Sequence, residues 1–72
     1  MIKKMIAKTR VRSGITTYTV IYESGVRRKF YKNDNWPMSV VLFYTADDTI
    51  RTTDEMLGSG EYVTRREVFE KA

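Results

Sequence analysis

The chain is 72 residues long, 42% hydrophobic and 31% charged, with a formal net charge of +4 and neither cysteine nor histidine. A chain of this length holds one thin core, so a single domain spanning residues 1–72 is expected, and its apolar content excludes the disordered class. The missing residue types remove disulfide staples, the thiol nucleophile, Ser-His catalysis and nearly every zinc site.

What chemistry survives is carboxylate or lysine chemistry, which needs acids converging in a cleft. The pairs Asp47-Asp48 and Asp54-Glu55 are sequence neighbours, whose side chains diverge in a strand and solvate or cap in a turn. A turn-and-cap role is therefore expected for them rather than a magnesium site. The expectation is a protein that is not an enzyme and holds no cofactor and no metal. A core this small supplies about 3–5 kcal/mol without staples, and a homo-oligomer would add to that.

The charge is unevenly distributed. Residues 1–33 carry nine basic side chains against Glu23 alone, whereas residues 34–72 carry four basic against eight acidic ones. Such a split suits a polyanion-binding face or a dipole that orients a charged protein partner. Lys8, Arg10 and Arg12 interrupt any apolar signal region after the basic start, and no run approaches the roughly 20 apolar residues of a membrane helix. No membrane partner is expected, and a cytoplasmic location is the default.

Ser-Gly recurs at 13–14 and 24–25 between β-rich runs, the punctuation of consecutive hairpins. Strands are predicted over 2–12, 15–22 and 26–32. A two-residue loop at Ser13-Gly14 would pair Val11 with Thr16, Thr9 with Tyr18, Ala7 with Val20 and Met5 with Tyr22 on a mainly apolar face. The opposite face would then pair Arg10 with Thr17, Lys8 with Thr19, Ile6 with Ile21 and Lys4 with Glu23. At the second turn a two-residue loop would bring Arg27 and Lys29 onto the apolar face, at the cost of desolvating two charges. A three-residue loop, Glu23-Ser24-Gly25 with Gly25 left-handed, aligns Val26 with Tyr22, Arg28 with Val20 and Phe30 with Tyr18 instead. Arg28 is tolerable on that face near a sheet edge, where its head reaches water.

Residues 33–37, Asn-Asp-Asn-Trp-Pro, read as a loop. The apolar run 38–45 lacks alternation and is predicted as a strand buried on both faces, with a short core helix as the alternative. Ala46-Asp47-Asp48 turns the chain. A brief strand over 50–52 is followed by Thr52-x-x-Glu55, which resembles a capping box, with Gly58 placed to stop a single helical turn. Gly58-Ser59-Gly60 lacks P-loop spacing and its lysine and reads as a connector. Over 61–70, Tyr62, Val63, Val68 and Phe69 suit a closing strand, while Thr64-x-x-Glu67 would cap a terminal helix.

The predicted fold class is all-β and mostly antiparallel. A three-stranded N-terminal meander and one or two further strands would form a small SH3-like barrel or a curled sheet with one short helical turn. The alternative is α+β with a C-terminal helix. The likeness to SH3-like barrels is one of architecture only, since no family motif occurs in these residues. Tyr18, Val20, Tyr22, Phe30, Val41 and Phe43 are the expected core, with Tyr44 and Phe69 joining it.

The predicted registers bring Lys4, Lys8, Arg10, Arg27, Lys29 and Tyr31 to one side of the sheet, around Ile6 and Ile21. Cations there would meet phosphates and Tyr31 would stack on a base, with Trp36 in the adjacent loop either helping or folding back onto the core. An antiparallel sheet also ordinarily leaves one polar face in water. Two functions follow as expectations. One is a nucleic-acid-binding module of low sequence specificity. The other is a protein-binding inhibitor or adaptor, of the kind that phage and other mobile elements supply, set against an acidic surface of a host factor.

Overall fold

The computed structural model describes residues 1–58, 60 and 63–72. Five strands and one helix follow one another as β1 (Ile2–Arg10), β2 (Thr16–Tyr22), β3 (Arg27–Tyr31), α1 (Met38–Thr45), β4 (Thr49–Leu57) and β5 (Thr64–Lys71). The strands form a single antiparallel sheet in the order β3-β2-β1-β5-β4. The predicted β-dominant class is found, in its curled-sheet form: β3 and β4 are the two outer strands and do not pair with each other. Residues 64–71 are the predicted closing strand rather than a terminal helix. Ser59 of the expected connector and Glu61 and Tyr62 of the expected closing strand lie outside the described residues.

The β2–β3 hairpin has the predicted register, with Val20 opposite Arg28 and Tyr18 opposite Phe30. Gly25 closes its three-residue loop at φ 91° and donates to the Tyr22 carbonyl at 2.9 Å, while the Tyr22 amide donates to Val26. Arg28 stands exposed on the outer strand, where its charge stays solvated.

The β1–β2 register is a correction. Met5 pairs with Val20, Ala7 with Tyr18 and Thr9 with Thr16, two residues away from the predicted alignment. The loop is Val11 to Gly14 rather than Ser13-Gly14 alone: the Arg10 amide donates to Ile15 at 2.9 Å, and Gly14, at φ 73°, donates back to Arg10 at 2.7 Å. Because the slip is even, every side chain keeps its predicted face. An irregularity between Ile2 and Lys4 then brings Ile2, opposite Tyr22, onto the core side.

Residues 38–45 are the second correction, an α-helix and not a strand. A continuous apolar run carries no period, so composition alone does not separate the two. Topology does: β3 and β4 lie at opposite edges, and the connection must cross one face of the sheet. Val40 is fully buried and Phe43 buried, three positions apart, with Tyr44 packed against the same cluster. Val41 is therefore not core. It faces outward with Met38 and Leu42, which are 69% and 60% exposed.

The third correction concerns Thr52-x-x-Glu55. No helical turn forms there, and the segment lies within β4, where an extra residue at position 54 separates the pairs Thr53–Glu67 and Glu55–Arg66. The capping motif lacks a following amphipathic run, and β5 offers this backbone a ladder of partners instead.

The core lies between the sheet and α1 and joins Ile2, Met5, Ala7, Tyr18, Val20 and Phe69 to Val40 and Phe43. Trp36 seals its edge. Its ring meets Tyr18 edge-on at 4.9 Å and Tyr44 at 5.5 Å, and its indole N–H donates to the Tyr31 carbonyl at 2.8 Å. On the far side Arg51 lies over Tyr44 and Phe69, 5.2 and 5.4 Å from their ring centres, and donates to the Tyr44 carbonyl at 3.0 Å.

Candidate nucleic-acid interface

The face turned away from α1 is read directly from the ladders, since residues directly opposite in an antiparallel pair share a face. On β1 it presents Lys4, Ile6, Lys8 and Arg10, on β2 Thr17, Thr19 and Ile21, and on β3 Arg27, Lys29 and Tyr31. The six residues predicted for this face are thus together on it. Trp36 is not: its indole is committed to the core on the other side, so of its two expected roles it takes the fold-back onto the core and leaves the binding face. A tryptophan in a polar loop buries its ring when an aromatic cluster and a free carbonyl lie within reach.

β2 forms the floor of a trough and its neighbours form the walls. Thr17 and Thr19 are short, and Ile21 is only 7% exposed although, among the described residues, no helix lies on this side. Ile21 is flanked by Lys4 and Arg27, side chains long enough for their aliphatic stems to cover it. The cations therefore stand on two rows, Lys4, Lys8 and Arg10 along β1 and Arg27 and Lys29 along β3. Lys8 and Arg10, like Arg27 and Lys29, are about 6.8 Å apart, Lys4 lies about 13.6 Å from Lys8 with Ile6 between them, and the rows are separated by about 9.5 Å, twice the strand spacing. None of these five has an ion-pair partner among the described residues.

At one end the trough deepens into a groove of about 430 Å³, with Thr17 beneath, Lys8 and Arg10 on one side, Lys29 and Tyr31 on the other, and Ile15 at its end. Tyr31 is 51% exposed. A second hollow of about 320 Å³ adjoins beyond it, lined by Tyr31 and Ile15 together with Lys32 and Asn33. The Tyr31 backbone is anchored, its amide donating to an Asp34 carboxylate oxygen at 2.7 Å and its carbonyl accepting from Asp34 and Trp36.

The β5 and β4 half of the face is electrically different. Arg66 stands beside Lys8 but is ion-paired with Glu55, and Glu70 stands beside Lys4. Lys4 thus has Glu70 and Ile21 as cross-strand neighbours, in place of the predicted Glu23, whose amide bonds to Met1. Sequence reasoning missed Ile15, Thr64 and Arg66 as members of the face. The parity of Thr64, Arg66, Val68 and Glu70 along β5 was the available signal, but it needed the β1–β5 pairing to be useful.

Asp47 and Asp48 lie in the turn between α1 and β4, and among the described residues no cluster of metal-ligating side chains forms. No described helix is long and apolar enough to cross a membrane. No protein-family model, curated protein or solved structure matches the chain.

Proposed function

We propose that the chain is a non-enzymatic binding module whose open sheet face takes nucleic acid through its phosphates. The observation that carries this reading is the pair of cation rows flanking a neutral floor, with no carboxylate engaging any of their five members among the described residues. Unpaired cations lined up in two rows gain most from a polyanion, because each phosphate neutralised releases a counterion. A cytoplasmic site of action belongs to the same proposal.

The test is fluorescence anisotropy of labelled mixed-sequence DNA and RNA at low and physiological salt. Micromolar binding, with a log-log salt slope of about −3 for three to four phosphate contacts, is the expected result. Replacing Lys8, Arg10 and Lys29 together by glutamate should abolish it. Equal affinity in that variant removes the reading.

A second reading, an inhibitor or adaptor that binds protein, is favoured by one separate observation, the exposure of Met38, Val41 and Leu42 on the outer side of α1. A protein partner retained from lysate after nuclease treatment, and lost on Leu42→Asp, would support it. Loss of every partner with nuclease would remove it.

A further inference from the structure

We propose that the ligand of this face is a single strand, lying lengthwise over β2 between the cation rows, with one base stacked on Tyr31. The inference rests on the nucleic-acid reading above and specifies which form of the polymer the trough accepts.

Three observations carry it. The first is width: the rows on β1 and β3 are separated by about two strand spacings, 9.5 Å, room for one sugar-phosphate backbone over the Thr17 and Thr19 floor. The second is the fence on the β1 side. Glu70 beside Lys4 and Glu55 on Arg66 turn the neighbouring half of the face against phosphate, so the attractive strip follows the strands and does not cross them.

The third is Tyr31 itself, half exposed at the end of the strip and lining both hollows. An exposed aromatic ring that shares its hollow with Lys29 and Arg10 is a stacking platform for an unpaired base. A duplex keeps its bases stacked on one another and has no free ring to offer it, so Tyr31 contributes only when the bases are unpaired. From Lys4 to Arg10 the strip is about 20 Å long, enough for roughly four nucleotides, the lower end of single-strand site sizes. Stacking on one ring is tolerant of sequence, because every base has a π-face.

The experiment uses labelled single-stranded DNA, RNA of the same sequence, and the corresponding DNA duplex. Each is titrated with wild type, Tyr31→Phe and Tyr31→Ala at physiological salt, after circular dichroism has shown all three proteins folded. The expected result is at least about tenfold tighter binding of single strands than of duplex, with either sugar. Tyr31→Ala should weaken single-strand binding by roughly five- to a hundredfold and leave duplex binding unchanged, while Tyr31→Phe keeps the wild-type preference. Duplex binding equal to or tighter than single-strand binding, or single-strand affinity unaffected by Tyr31→Ala, overturns this inference and leaves the phosphate-binding reading standing. Absence of binding to all three polymers even at low salt overturns both.

Discussion

The Trp36 indole N–H donates to the Tyr31 carbonyl oxygen at 2.8 Å, although the two rings lie on opposite sides of the sheet. One is packed against Tyr18 and Tyr44 and the other is open to solvent, so the core residue holds the backbone from which the surface residue projects. Trp36→Ala should cost about 2–3 kcal/mol in urea unfolding, below the range for a fully buried tryptophan because the ring is only partly buried. Trp36→Phe should cost less, retaining the packing but leaving that carbonyl with the Asp34 amide as its donor. Since Trp36 faces away from the trough, its fluorescence should report unfolding and stay nearly constant on nucleic-acid titration. A large change on titration in the folded protein would place the ligand on the other face.

The Glu55–Arg66 ion pair competes with phosphate for Arg66, which stands opposite Lys8 across β1 and β5. Glu55→Gln should therefore strengthen nucleic-acid binding and steepen the single-strand salt slope by about 0.7, the increment for one more phosphate contact. Both residues are partly exposed, so stability should change by under about 0.5 kcal/mol. An unchanged slope would show that Arg66 lies outside the path of the polymer.

Adjacent valines in α1 separate a helix from a strand buried on both sides. Val40 is fully buried and Val41 is 37% exposed. Val40→Thr should lose about 1–3 kcal/mol through burial of a hydroxyl without a partner, while Val41→Thr should remain within about 0.5 kcal/mol of wild type. Equal losses in chemical denaturation would contradict the helical packing.

Burial, and after it the neighbouring Tyr44 through charge and a side-chain hydrogen bond, holds the Tyr18 hydroxyl above its ordinary pKa, with Glu67 adding to the effect. The folded state then keeps a proton that the unfolded chain releases near pH 10. The corresponding stability is fully present below that pH and is lost as pH rises through the folded-state value. Unfolding midpoints measured across alkaline pH should fall more steeply for wild type than for Tyr18→Phe. Parallel curves would remove Tyr18 as the group responsible.

Gly25 and Gly14 show how much of this architecture local sequence carries. The three-residue loop ending in Gly25 was legible because the only competing loop put two charges on the apolar face, and burying a charge decides a register more strongly than β propensity does. No such penalty separates a two-residue loop at Ser13-Gly14 from the four-residue loop found, since both keep Met5, Ala7 and Thr9 on the core side. That same parity explains how the basic face was legible while the β1–β2 partners were not.

The helix, by contrast, is decided by the placement of β3 and β4 at opposite edges, a property of the completed sheet and not of residues 38–45. Trp36 follows the same rule. Its loop is polar, and only the assembled positions of Tyr18, Tyr44 and the Tyr31 carbonyl show where its ring belongs.

The pairing of β1 with β5 places the two ends of the sequence at the centre of the sheet, where Lys4 meets Glu70 and Arg10 meets Thr64. The meander of β1, β2 and β3 can zip from its own turns, but its third strand outward, β1, stays an open edge until a segment more than fifty residues away arrives. Closing so long a loop carries an entropic cost that neither hairpin of the meander bears. Wherever that pairing is open, β1 is an apolar edge carrying Met5, Ile6 and Ala7, and Lys4, Lys8 and Arg10 on the same strand are its protection against sticking to another copy of itself.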